Sequence, residues 1–446
     1  MKWIVVGAGS AGCVAARRLH DAGHCVVLIE AGPAFEPGGV PGPIDGDDSF
    51  AALGVAERTY ADLLARRTAH GPEIRYLRGR GVGGSSAVNA MVALRGDPAR
   101  YRSWGWDDVD EAWDRTLIPA ERPGRAELGR IDRLLLAADA AAESTPLTRR
   151  NGRRITSAEA YLWPIGLEVT DRFEMLTQLT VDRVSFDTAG AATGIVLSNG
   201  DVVAADAVVL AAGAIHTPTI LQRSGVEQAG TGLRDHPAAG LLLQLTDVEA
   251  NRLDLDARGL ATAAMIKRGP IQVLSLNHLG SSAPADMAML LVALMVPTGD
   301  GGTVRITSSD PAVPPAVDFD LLRHPDDLHR LACGVADVLE MLHHPPFAGA
   351  VEAIYIDDHG TTADVFEADL DAIAEWLSRR GADYVHASSS CASIIDGAGG
   401  VDGHEGLFIC DASAFPDIPD VNTHLPTTML AERLTVQWPG VAGSEG

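Results

Sequence analysis

The chain begins with a short apolar run, Lys2-Trp-Ile-Val-Val6, and then Gly7-Ala8-Gly9-Ser10-Ala11-Gly12. An apolar helical stretch to Leu19 and a second apolar run from Cys25, closed by Glu30, complete the pattern. Few local structures satisfy all of these constraints. Gly7 suits a tight turn after a strand, Gly9 lets bare backbone approach a ligand, and Gly12 lets a helix pack closely on the strand. The free N–H groups where that helix starts, at Ser10 and Ala11, point toward a phosphate. Glu30, with Ala31 beside it, ends the second strand where a carboxylate can accept both ribose hydroxyls, which favours an adenosine without a 2′-phosphate. The expectation is a parallel βαβ unit that grips FAD or NAD, and this fingerprint alone does not choose between them.

A chain of 446 residues is too long for one ordinary core and suits two domains. Its formal charge of −25 argues against nucleic acid or an anionic membrane surface as partner, because both repel an acidic protein at long range. The cysteines at 13, 25, 333, 391 and 410 are odd in number, scattered and without a Cys-x-x-Cys pair. They read as reduced thiols, with neither a disulfide frame nor a metal site. The first strand starts too early to leave room for an export signal, and no apolar run reaches about 18 residues. A cytoplasmic protein with no integral membrane segment is expected.

Asn199-Gly200 marks a hairpin among the strand-like runs Val181 to Phe186, Gly194 to Leu197 and Val202 to Ala204. Ala207 to Gly213 reads as a buried strand returning to a parallel sheet. Trp104 to Arg153 is mainly helical in pattern, and Asp326 to Leu342 and Thr362 to Arg379 read as helices. The fold class expected is α/β: a Rossmann-like cofactor domain interleaved with a smaller α+β substrate domain carrying an antiparallel sheet. Residues 1–35, 72–100, 172–237 and 384–440 would form the cofactor domain. Residues 101–171 and 238–383 would form the substrate domain, with 36–71 an excursion or lid.

The segment Gly79-Arg-Gly81-Val82-Gly83-Gly84-Ser85-Ser86-Ala-Val-Asn89, running on through Ala90, Met91 and Val92 to Ala93 and Gly96, closely resembles the first signature of the glucose-methanol-choline (GMC) family of FAD-dependent alcohol oxidoreductases. The second signature is matched from Gly213 to Val226, with Glu227 in place of its last glycine. Leu233-Arg-Asp235-His236-Pro237, Thr303 to Pro311 and Ile409-Cys-Asp411-Ala412-Ser413 resemble further landmarks in family order, so the similarity spans nearly the whole chain. The resemblance implies an FAD cradle at Gly81, Val82, Gly84, Ser85, Asn89, Ala90, Met91 and Val92. Ala212, Gly213, Asp411, Ala412, Asn422 and Thr423 join it, and the Val181 backbone reads the adenine edge. Where some members carry a histidine bonded covalently to FAD, this chain has Arg78, which implies noncovalent FAD.

The segment His386-Ala-Ser-Ser-Ser-Cys391 resembles the family's His-Pro-x-Gly-Thr-Cys, and Asn422-Thr-His424-Leu-Pro-Thr resembles its closing Asn-x-Asn-Ala-Pro-Thr. The resemblance implies that His386 faces the flavin as general base and that His424 is its partner, or the base itself. A neutral imidazole suits the alcohol proton while hydride leaves carbon. Ala387, Ser389 and Ser390 depart from the family pattern around His386. His236 reads as structural, near the cofactor entrance.

The implied reaction is oxidation of a small-molecule alcohol to a carbonyl, with electrons passing to a non-oxygen acceptor. The chain is shorter than is usual for the family, mainly between Trp106 and Arg153. That shortening resembles bacterial members associated with mycofactocin, for which the substrate would be a reduced redox cofactor. An oxidase that uses oxygen and a non-catalytic flavin-binding electron-transfer protein remain as alternatives. An NAD-dependent dehydrogenase would have no use for the cradle from Gly79 to Asn89.

Overall fold

A computed structural model describes residues 1–35, 39–166, 170–246, 260–366 and 369–441. The expected excursion 36–71, the substrate stretches 101–171 and 238–383, and the helix expected from Thr362 to Arg379 each include some residues outside that set.

The opening pattern forms strand β1 (Lys2–Val6), helix α1 (Ser10–Asp21) and strand β2 (Cys25–Glu30). β1 lies at the centre of a five-stranded parallel sheet, between β2 and the strand Ala207–Leu210. Leu407–Ile409 and Phe173–Thr177 form its edges. Both faces are covered, so these strands read as unbroken apolar runs, with Trp3, Ile4, Val5, Leu28 and Leu210 all fully buried. The C-terminal helix, His424–Thr435, packs beside α1. Its fully buried Glu432 accepts hydrogen bonds from Arg18 Nε at 2.7 Å and Tyr161 Oη at 2.8 Å, which pairs a charge that burial would otherwise penalise.

A six-stranded antiparallel sheet forms a second layer, in the order Val351–Tyr355, Ala238–Leu245, Met287–Leu294, Ile271–Leu276, Ala264–Arg268, Ala142–Ser144. Together these layers give the expected α/β fold class. The hairpin at Asn199-Gly200 forms within an antiparallel meander from Val181 to Ala204.

Three local expectations are corrected. The stretch Trp104 to Arg153 is not mainly helical: it holds the short helices Val109–Arg115 and Arg130–Ala138, then strand pairing from Ala142. Tyr101, Trp106, Val109, Trp113 and Ile118, expected in the substrate domain, pack in the same apolar cluster as the parallel sheet. The helix expected from Thr362 begins instead at Leu370, because the Asp369 carboxylate accepts the Asp371 amide at 2.9 Å and caps it there.

Candidate active site

The parallel strands all end at one edge, and a cavity of about 600 Å³ opens there. Gly7 and Gly9 follow β1, Glu30 and Ala31 end β2, and Ala211, Ala212 and Gly213 follow Leu210. Asp411 holds the last of these in place, accepting from Gly213 N at 2.8 Å and Thr217 Oγ1 at 2.5 Å. Every residue expected to hold the cofactor lines this cavity except Gly12, Gly81 and Val82. Gly12 faces Gly7, whose carbonyl oxygen would lie 1.9 Å from a Cβ, so its part is packing. Val82 is buried in the apolar core. The amide of Gly81 is engaged by a side chain of this protein.

That side chain is Glu30. Its Oε1 accepts from Gly32 N at 2.8 Å and Gly81 N at 2.9 Å, and its Oε2 accepts from Ala8 N at 2.9 Å. The carboxylate expected to meet a ribose thus also ties the first glycine turn to the cradle. At Gly9 an added Cβ would meet nothing within 4 Å, so open backbone faces the cavity beside the helix start. The same approach cannot take a side chain at Gly84, whose Cβ would lie 2.7 Å from Gly9 Cα. Arg154, fully buried, fixes the far end of the cradle by donating to the Asn89 carbonyl and Asn89 Oδ1, both at 2.8 Å. Bare backbone, helix N–H groups and a cavity of this volume fit a dinucleotide.

His386 sits on the cavity wall and is 8 % exposed. Its Nδ1 is 2.9 Å from His236 Nδ1, and its Nε2 is 3.4 Å from Asn422 Nδ2. Asp235 holds its backbone, accepting the His386 amide at 2.9 and 3.0 Å, the Tyr76 hydroxyl at 2.6 Å and the His236 amide at 2.7 Å. Burial and the nearby Asp383 push the Asp235 carboxyl up to about 7, while these donors pull against the shift. Burial holds the His386 imidazole well below the usual histidine range, with His236 and Arg78 acting in the same direction. It is therefore a neutral, proton-accepting ring at pH 7. His236 is not at an entrance: it is fully buried, with Nε2 2.8 Å from the Pro419 carbonyl. Asp235, His236 and His386 bring ligand-capable atoms within 4.8 Å of one another, but hydrogen bonds occupy them.

The two histidines expected to act together are not bonded to each other. His424 Nδ1 lies 2.8 Å from Ser10 Oγ at the start of α1, and its buried Nε2 has no partner among the described residues. Burial lowers its pKa to about 4. The neighbour of His386 in the closing segment is Asn422, whose Nδ2 faces the imidazole and whose Oδ1 accepts from Gln272 Nε2 at 3.1 Å. Sequence reasoning gave no role to His216 and Tyr60, whose rings stack 4.4 Å apart on the cavity wall. A histidine inside the second signature was the available signal. Leu274 and Leu276 line the cavity from the same strand face as Gln272, and Leu291, which pairs in register with Leu274, joins them.

Comparison with known proteins identifies the family and the fold. Two models described as GMC oxidoreductase match, one over residues 1–118 and 139–238 and one over 297–431. A 5-(hydroxymethyl)furfural oxidase from Methylovorus sp. is 27% identical, with 97% of each chain covered. An oxygen-dependent choline dehydrogenase from Paraburkholderia xenovorans is 26% identical, covering 97% of this chain and 93% of its own. Among solved structures, pyridoxine 4-oxidase from Mesorbium loti superposes with a TM-score of 0.85 at 22% identity, covering 98% of this chain and 99% of that one. Among the described residues no helix is long and apolar enough to cross a membrane, and all five cysteines are free. From its N-terminal turn to its closing helix, the chain belongs to the GMC oxidoreductase family, whose members include FAD-dependent alcohol dehydrogenases and oxidases.

Proposed function

We propose that this protein oxidises an uncharged alcohol to a carbonyl with noncovalently bound FAD, using His386 as general base. The observation that carries this reading is the placement of a neutral, buried imidazole on the wall of the cavity that the dinucleotide cradle opens into. When bound, FAD supplies the hydride acceptor at its N5. The chain's own residues do the rest. The alcohol proton passes to His386, and Asn422 and the unpaired Nε2 of His424 are the groups available to hold the alcohol oxygen. Leu274, Leu276, Leu291, Met91 and Val92 give the chamber apolar walls, which favour an uncharged substrate body.

The shortened stretch between Trp106 and Arg153 supports an acceptor larger than oxygen, hence a dehydrogenase. It also makes the reduced form of mycofactocin a substrate to test beside simple alcohols. The test is the visible spectrum of the purified protein before and after anaerobic addition of primary alcohols, with the flavin released by acid. Yellow protein whose FAD is released by acid and bleached by an alcohol is the expected result. Slow return of colour in air marks a dehydrogenase and rapid return an oxidase. A colourless protein unable to take up FAD would overturn the reading.

A further inference from the structure

We propose that His236 is a positioning residue that locks His386 in the tautomer with its proton on Nδ1, leaving the Nε2 lone pair to face the alcohol. This rests on His386 being the base. Pro419 O can only accept a hydrogen bond, so His236 Nε2, 2.8 Å away, must carry a proton. Burial lowers the His236 pKa to about 4 against the opposing pull of the Pro419 backbone, Asp420 and the Met295 backbone, with Arg100 assisting, so the ring is neutral at pH 7 and, with Nε2 protonated toward Pro419, its Nδ1 is bare.

That bare nitrogen lies 2.9 Å from His386 Nδ1, with the two rings at 89°. Two lone pairs facing each other at that distance in a buried setting would leave both unsatisfied. The proton between them therefore belongs to His386 Nδ1, and a neutral ring with that proton has a bare Nε2. The Nε2 edge is the one beside Asn422, where both residues line the cavity. A proton added to His236 would reverse the arrangement, because its Nδ1–H would then donate and push the His386 proton onto Nε2. Two features make the lock rigid. His236 is fully buried, and Asp235 holds the backbone amides of both His236 and His386. The relationship joins residues 150 positions apart.

The experiment uses the FAD-loaded protein labelled with [15N]histidine, and reads the ring nitrogens at pH 7 by proton–nitrogen correlation, with His386 assigned by its loss in His386→Ala. The expected result is a protonated Nδ1 and bare Nε2 on His386, and the opposite pattern on His236. Stopped-flow flavin reduction by an alcohol supplies the functional arm. His236→Leu removes the acceptor and should slow reduction by roughly 10²-fold or more while FAD stays bound. His236→Asn places an amide oxygen near the former Nδ1 and should recover most of that rate. A His386 ring protonated on Nε2 in the parent protein would overturn the proposal, as would undiminished reduction in His236→Leu. Should the leucine variant fail to fold, the parent spectrum decides by itself. Unslowed reduction in His386→Ala, with the expected tautomer in the parent, would instead overturn the base assignment on which the proposal stands.

Discussion

Glu30 and Gly81 stand 51 residues apart and are joined by a 2.9 Å hydrogen bond from the Gly81 amide to the carboxylate. The same carboxylate takes the amides of Ala8 and Gly32, so one side chain holds three turns of the cradle in register. In Glu30→Gln one oxygen becomes an NH₂ that must face a backbone donor. Leaving such a donor unpaired costs about 1–3 kcal/mol. FAD should be retained roughly 10- to 100-fold less tightly, as read by fluorescence titration of the apoprotein. Affinity equal to the parent's would show that these bonds form no part of the cradle's stability.

His386→Ala should keep the flavin spectrum and slow flavin reduction by the ~10²–10⁴ typical of losing a general base. His424→Ala is expected to act more weakly on reduction, because its ring is paired with Ser10 and not with His386. Single-turnover reduction under anaerobic conditions separates the two. A larger loss in the His424 variant would transfer the base role to it.

The pH profile follows from the direction of the His386 shift. Its pKa lies well below 6.5, so the neutral, accepting form persists as pH falls through the ordinary histidine range. The rate of flavin reduction should therefore stay flat from pH 8 through 6.5, with the acid limb below. An acid limb centred near 6.5 would mean that the base is solvated, or is a different group.

The strand, turn and helix that open the chain were legible because their spacing is local: Gly7 takes a φ of +100°, and Gly12 packs on its carbonyl. The antiparallel sheet was legible as a class but not as a register, since the pairing of Leu274 with Leu291 depends on a whole-sheet arrangement. Trp106 and Trp113 lie in a stretch expected to serve the substrate domain, and only tertiary packing, which leaves no local pattern, joins them to the parallel sheet. Motif resemblance brought His386 and His424 to notice, while the contact of His386 with His236 arises only when two distant turns meet on Asp235. The three amides on Glu30 were hidden for the same reason, because backbone donors leave no mark in a sequence.

Burial of neutral His236 also links stability to pH. Its pKa falls from 6.5 unfolded to about 4 folded, so below pH 6.5 the unfolded chain binds the proton that the folded one refuses. The stability it contributes is complete above 6.5 and is lost as pH falls toward 4, at up to ~1.4 kcal/mol per pH unit. The stability difference between parent and His236→Asn, measured by urea unfolding, should thus be constant above pH 6.5 and shrink below it. A difference independent of pH would mean that His236 titrates alike in both states.

The loop that carries His386 departs from the family pattern at Ala387, Ser389 and Ser390. Where the family pattern has glycine, this chain has Ser389 at a φ of +68°, and Val385 on the other side of the histidine stands at +56°. The backbone thus keeps the left-handed turn that glycine favours at Ser389, and both Ser389 and the β-branched Val385 bear strain beside the histidine. A short polar side chain tolerates this conformation at modest cost, whereas a β-branched one crowds its own carbonyl. Ser389→Gly should fold and hold FAD as the parent does. Ser389→Val should lose about 1–3 kcal/mol, read as a lowered unfolding midpoint, and should slow flavin reduction in proportion to the displacement of His386. Equal stability of the glycine and valine variants would show that the turn relaxes freely, and that the bonds from Asp235 alone set the angle of the histidine.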